Sequence, residues 1–456
     1  MKKQTHSKLL FPFGLLLLGA VLTEVGSFSQ TGGESAATSL PNTFHFDSQD
    51  CRMALLPHAG GDDLDRQIRD LQAALPEMPR AWQGLERLGW LFVSKARSGY
   101  DPGYYTLAQA SARCLQEAVG SRRLPAAMLL RGHVLHSLHK FQQAEALARD
   151  LVEVRGASYD FGLLGDVLQD QGKIQEAAQA YQHMADLKPG PKAYSRAAHI
   201  RWVLGDLEGA VELMTAAATA GERSPEAAAW AFVRLGWYQL QAGQVEGAQA
   251  SALSAETLRP GYAPALLLRG RVLLAQGKES KALQMLQRAA ALNPLPEYAW
   301  ALADALRIKG QALEADELER ALVRNGVSDD PRTLALFLAT RQREAEKAVR
   351  LAREELEARQ DVFTYDALAW ALHRAGRGQD ARDAMRQALS LNTRDGRLFL
   401  HAGLIFGGHD SSRAAAWLRQ AHEMRQTLLP SEIELLDSAL GNPNQPDFVK
   451  PTSLGE

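Results

Sequence analysis

The stretch that decides the fold is Tyr159–Pro189, YDFGLLGDVLQDQGKIQEAAQAYQHMADLKP. It reads as two short amphipathic helices joined by a glycine turn and closed by a proline. Phe161, Leu164 and Leu168 share one helical face with the small Gly165, at spacings of three and four. Gly172 ends the first helix, where a left-handed residue is least costly as glycine. Ile174, Ala177, Tyr181 and Met184 form the facing stripe of the second helix. Pro189 cannot continue that helix and disfavours helical backbone at Lys188. Helices approach closely only where no large side chain intervenes. Gly165 and Ala177 therefore mark the crossing, and the Tyr181 ring fills the space beside them.

Outward from this unit, the pattern recurs. Alanines equivalent to Ala177 stand at Ala108, Ala144, Ala210, Ala248, Ala282, Ala315, Ala348, Ala381 and Ala414. Counting Ala177, the steps are 36, 33, 33, 38, 34, 33, 33, 33 and 33 residues. Turn glycines run five residues earlier at Gly172, Gly205, Gly243, Gly277, Gly310 and Gly376, and Pro189, Pro260 and Pro294 close their units at one offset. Alanine alone would be a weak signal in so alanine-rich a chain, but three residue types in one register mark a repeat. The eighth unit is the weakest, with no turn glycine and a heavily charged run, Arg341–Arg359, that reads as a solvated second helix.

The units resemble the tetratricopeptide repeat (TPR) family, whose pattern sets large, small, aromatic and proline residues at fixed positions of a 34-residue hairpin. Phe161, Leu164, Gly165, Leu168, Ala177, Tyr181 and Pro189 match it, and Met184 departs where the family has a small residue. Phe232–Pro260 matches except at Gln239, and Leu266–Pro294 except at Arg269. The resemblance covers roughly residues 80 to 425. It implies an all-α, right-handed superhelical solenoid of about ten TPR hairpins, in which each unit touches its neighbours. The expected organisation is a TPR solenoid over 62–428, opened by a capping helix with Leu64, Ile68, Leu71 and Leu75 on one face. A C-terminal capping helix follows at 429–441, with the capping box Ser431–Glu434. Residues 442–456, holding three prolines, read as a disordered tail.

The N-terminus reads as a targeting segment. Lys2, Lys3 and Lys8 precede an apolar run, Leu9–Leu22, and small residues near Val25–Ser29 offer a cleavage site. Residues 1–29 are thus expected to be a signal peptide, or an uncleaved membrane anchor. Either way the repeats belong outside the cytoplasm, secreted or periplasmic. Residues 30–61 read as a linker and N-terminal arm. The arm carries Cys51, and the one other cysteine, Cys114, falls on the second helix of the first hairpin. The two either pair, stapling the arm to the first repeat, or stay free thiols. The first hairpin also carries an apparent insertion, SGYDPGYY (98–105), either a contact loop or packing.

In TPR proteins the first helices line a concave groove, and their ligand-contacting positions map onto named residues here. Trp90, His133, Asp166, His199, Trp237, Arg271, Asp304 and Trp370 share one groove position. His136, Trp202, Arg307 and His373 share another, and Trp230 and Trp300 occupy two more. Six of the eight tryptophans thus project to the groove, while Trp82 and Trp417 do not. Flat apolar faces with a few charges between them suit a peptide or a glycan; the other reading is packing on the next hairpin. His133, His136 and His139 invite a metal reading, but His139 lies about 240° around the helix from His133.

Charge is balanced, 51 Lys+Arg against 53 Asp+Glu, which argues against a nucleic-acid partner. No phosphate loop, G-x-S-x-G, H-E-x-x-H or C-x-x-C motif is present. The sequence therefore reads as a non-enzymatic protein-interaction scaffold of the cell envelope, with no cofactor implied and membrane contact only through an uncleaved N-terminus. The alternatives are a carbohydrate- or small-ligand-binding envelope protein and a metal-handling accessory protein.

Overall fold

A computed structural model describes residues 46–99, 101–220 and 224–441, giving only the backbone at 328 and 329. The expected signal or anchor, residues 30–45 of the linker and arm, and the expected tail lie outside the described residues. Among the described residues there are twenty-three α-helices and no strand. Two helices precede the hairpins, α1 (Gln49–Ala54) and α2 (Asp63–Ala74). Ten hairpins follow. They are α3/α4 (Ala81–Gly99, Gly103–Val119), α5/α6 (Pro125–Ser137, Phe141–Val154), α7/α8 (Ser158–Asp170, Ile174–Leu187) and α9/α10 (Pro191–Val203, Leu207–Thr219). Next come α11/α12 (Pro225–Gln241, Val245–Leu258), α13/α14 (Ala263–Ala275, Glu279–Leu292) and α15/α16 (Pro296–Ile308, Ala312–Asp329). The last are α17/α18 (Pro331–Thr340, Ala345–Ala358), α19/α20 (Val362–Arg374, Gly378–Ala388) and α21/α22 (Gly396–Phe406, Ser411–Glu423), with α23 (Pro430–Ala439) ending the series.

Sequence decides where each hairpin turns. From the second to the ninth, the residue two past the end of the first helix adopts positive φ, supplied by glycine six times, by His139 (φ 56°) and by Gln342 (φ 54°). The eighth unit lacks its turn glycine, and that turn is one residue longer, with Glu344 (φ 45°) left-handed as well. Its charged run is less solvated than its composition implies. Arg341 and Arg343 both reach Glu319, whose side chain is fully buried, and Arg307 joins them. A carboxylate sunk this deep persists because three guanidinium groups surround it.

The N-terminal arm is partly helical. Cys51 on α1 is disulfide-bonded to Cys114 on α4. Asp62 caps α2 by accepting from the Asp65 backbone N–H at 2.8 Å. Lys95 of α3 pairs with Asp62 at 2.7 Å and with Asp65 at 2.6 Å, tying α2 to the first hairpin. Burial opposes ionisation of Asp65, yet hydrogen bonds from Lys95 and His58 hold its carboxyl well below the usual carboxylate range. The expected SGYDPGYY insertion is largely absorbed by α3 and α4, which run to Gly99 and from Gly103, and Tyr104 packs on Phe92. Tyr100 lies outside the described residues.

The hairpins wind until the chain meets itself. Gly172, in the third turn, abuts the Gln360 carbonyl ahead of α19, and Gly205, in the fourth, abuts the Asn392 carbonyl ahead of α21. An added Cβ would stand 2.2 Å and 2.7 Å from those oxygens. Leu240, at the fifth turn, accepts at its carbonyl from Gln426 Nε2 at 3.0 Å. The return contact thus steps forward by one hairpin each time, as it does where successive superhelical turns stack in register. Trp202 Nε1 donates to the Arg394 carbonyl (3.0 Å), Thr393 Oγ1 to the Val203 carbonyl (2.6 Å), and Arg394 pairs with Glu208 (2.7 Å) across the same seam.

Candidate functional site

Because the superhelix meets itself, its first helices and the segments between hairpins line a partly open chamber. The chamber has a volume of about 620 Å³ and is lined from α7 round to α21. Of the groove residues expected from sequence, His199, Trp202, Arg271 and Trp300 line the chamber, and several of the expected residues meet the chain itself. The Trp300 side chain is 1 % exposed, its Nε1 donating to Ser431 Oγ at 3.3 Å. Asp304 accepts from Ser431 N (2.9 Å) and Oγ (2.7 Å) and pairs with Arg341. Burial pushes its carboxyl up, although Arg341 pulls the other way. Arg271 donates to the Thr427 carbonyl at 2.5 Å and lies over the Trp237 ring at 5.7 Å. The segment from Gln426 to Glu432 therefore lies along α11, α13 and α15, where a captured peptide was expected.

Four positions need correction. Trp370 is fully buried, stacked between His373 (5.4 Å) and His401 (4.4 Å), with Nε1 donating to Thr340 Oγ1 at 3.1 Å. Trp202 stacks on Phe363 at 5.1 Å within the seam. Trp300 is core as well. Arg307 turns back to Asp316 and Glu319 of its own hairpin. Trp202 and Trp300 are covered by the returning chain, Trp370 by the neighbouring hairpins and Arg307 by its own.

The others keep more solvent. Trp90 is half-buried, its ring tilted on His133 at 5.4 Å. Burial, then the charge of neighbouring Arg97, pushes His133 down to about 3. His136 bonds Asp170 Oδ2 at 2.9 Å, and His139 contacts Arg359 at 3.3 Å. The three imidazoles thus take three separate partners. Among the described residues no group of three His, Cys, Asp or Glu could hold a metal ion. Asp166 accepts both Arg196 Nε (2.7 Å) and Nη2 (2.6 Å), and Arg196 keeps its carboxyl low against burial. His199 faces Tyr238 OH at 3.2 Å and is pushed down to about 3 by burial, then Arg234. Burial, then Arg374, lowers His373 to about 4. Trp230, 44 % exposed, is the most open of the expected tryptophans.

Sequence reasoning missed most of the chamber's charges. Arg332 is tied to Asp361 at 3.2 Å and Arg397 to Glu432. Arg359 lies 3.8 Å from Asp170, and Asp366 takes His401 Nδ1 at 2.8 Å. Asp395 caps α21 and accepts Gln241 Nε2 at 2.7 Å. Arg234, Arg271, Glu297, Asp330 and Asp395 line the wall without an ion-pair partner of opposite sign among the described residues, and of the three carboxylates Glu297 alone accepts no hydrogen bond. Several of these residues sit in the loops between hairpins, which the repeat pattern leaves unassigned.

Inside the hairpins one contact recurs. A Cβ on Gly165 would fall 2.3 Å from the Tyr181 ring, on Gly270 2.6 Å from Leu286, and on Gly403 2.5 Å from Leu418. In each case a small residue on the first helix receives the large one that lies four positions past the second helix's alanine. The hairpins pack in the manner of tetratricopeptide repeats. No family model and no curated protein sequence matches the chain. Solved TPR structures resemble it at low identity. YrrB, described as a TPR protein with an unusual peptide-binding site, is 16% identical, with 44% of this chain and 97% of that chain covered and a TM-score of 0.30. PilW, a type IV pilus biogenesis factor, is 15% identical over 47% of this chain and 98% of its own, with a TM-score of 0.39. A monomeric IFIT1 mutant is 15% identical over 72% and 76%, with a TM-score of 0.47. The contacts within this chain, and not those likenesses, carry the fold.

Proposed function

We propose that this TPR solenoid is a non-enzymatic protein-interaction scaffold of the cell envelope, capturing a peptide segment on the N-terminal part of its concave face. The observation that carries the reading is the half-buried Trp90, paired with His133 beside Asp166 and Arg196. An aromatic face flanked by fixed charges of both signs is how a peptide is gripped. The same groove positions further along are occupied by the chain itself. A rigid stack also spends little ordering entropy on binding. The Cys51–Cys114 disulfide supports an oxidising, extracytoplasmic compartment. Among the described residues no helix is long and apolar enough to cross a membrane.

The test is affinity capture from envelope extract with the parent chain, a Trp90→Ala/His133→Ala bait and a Trp230→Ala bait. Circular dichroism confirms that each bait folds. A protein captured by the parent and by Trp230→Ala, but lost with the double variant, supports the reading. Equal capture by all three baits refutes the assignment to the N-terminal face.

A further inference from the structure

We propose that the partly open chamber is a binding site for a small zwitterion, an amino acid or short peptide, with its carboxylate on Arg271 and its ammonium group on Glu297. The inference is independent of peptide capture on the N-terminal face. At about 620 Å³ the chamber falls in the size range of small-ligand sites, roughly 300–1,000 Å³, and is too small for a folded partner. Several charges on its wall are already paired, Arg332 with Asp361, Arg359 with Asp170 and Arg397 with Glu432. Arg271 is not: it is 4 % exposed and spends one donor on the Thr427 carbonyl and its face on Trp237. A guanidinium carries five donors, so a planar fork stays available for a carboxylate. Arg234 stands on the adjacent first helix, held by Tyr238 OH at 3.0 Å and by His199, neither of them anionic.

Glu297 is the matching anion. It opens α15, faces the chamber's open space, and makes no side-chain hydrogen bond or ion pair. It lies near enough to feel the charges of Arg271, Arg397 and Arg332 without bonding any of them. Its side chain is exposed to the chamber's solvent, so an arriving ammonium group can reach it. A simple anion satisfies Arg271 and is repelled by Glu297, and a simple amine does the reverse. A molecule carrying both charges satisfies both walls at once.

The experiment is calorimetric titration and thermal melting of the purified protein. The probes are the twenty amino acids and glycylglycine, each alone, with acetate, phosphate and methylamine as single-charge controls. The expected result is that at least one zwitterion binds and raises the melting temperature, while all three controls fail at equal concentration. Glu297→Gln is expected to weaken that binding at least tenfold with the fold intact, because Glu297 bonds nothing in the structure. Arg271→Gln is expected to weaken it likewise. The proposal is overturned if no zwitterion binds, if binding survives Glu297→Gln, or if acetate or phosphate binds as tightly as any zwitterion.

Discussion

Gly172 and Gly310 share nearly the same backbone, φ 74° and 75°, but have different surroundings. Both resist a side chain because left-handed backbone costs an L-residue about 1 kcal/mol or more. Gly310 has nothing within 4 Å of an added Cβ, whereas Gly172 meets the Gln360 carbonyl. Gly172→Ala is therefore expected to lose about 1–3 kcal/mol more than Gly310→Ala, since backbone from the next turn must move. Equal urea midpoints for the two variants would mean that the turns do not touch. Gln342 is the converse case, an exposed non-glycine at φ 54°. Gln342→Gly is expected to relieve strain and raise stability by about 1 kcal/mol, despite glycine's entropic cost. A lower melting temperature for that variant would refute the assignment.

At the scale of elements, α23 does more than shield the last hairpin. Ser431 serves Trp300 and Asp304, Glu432 serves Arg397, and Leu428, Leu429 and Leu436 are buried. Ending the chain at Thr427 is expected to cost roughly 5 kcal/mol or more from those leucines alone. It also strands Asp304 without its serine and shifts Trp300 emission to the red. An unchanged emission spectrum would show that the segment does not lie in the ring. At the other end, the disulfide closes a separation of 63 residues, for which chain entropy implies about 4 kcal/mol. In a solenoid that effect stays local. Cys51→Ala/Cys114→Ala is expected to release the arm and α2 to limited proteolysis while α7 to α22 stay protected. Uniform loss of protection would contradict the local effect.

For the whole molecule, acid tests the chamber and its rim. His133 and His199 are held at about 3 and His373 at about 4, all below the ordinary 6.5. The unfolded chain takes these protons first, so stability is complete above about pH 6.5 and falls as pH drops, toward about 4 for His373 and about 3 for His133 and His199. Each imidazole contributes at most about 1.4 kcal/mol per pH unit in that window. His199→Gln is thus expected to blunt the acid loss by up to about 2 kcal/mol at pH 5. A variant whose stability falls as steeply as the parent's would contradict this.

The hairpins were legible in the sequence because Gly165, Ala177 and Tyr181 answer to their own unit, and the period exposes each of them. The inward aim of Arg271, Trp300 and Asp304 was legible for the same reason. Their partners were not. Ser431 stands 127 residues from Asp304 and Arg394 stands 192 from Trp202, and those pairings depend on accumulated curvature that no single repeat encodes. A tryptophan on the groove register looks the same in sequence whether the groove is open or filled by the returning chain.

Closure of the ring is the central claim, and short-span crosslinking across the seam tests it most directly. Glu208 and Arg394 are solvent-exposed and paired at 2.7 Å across the stacked turns. With Glu208→Cys and Arg394→Cys in one chain and Cys51–Cys114 left intact, a short bis-maleimide is expected to join them within a single molecule. The single variants and an acid-unfolded double variant are expected to give no such product. Absence of the intramolecular product in the folded double variant, or crosslinks only between molecules, would mean that the solenoid is open and its groove free.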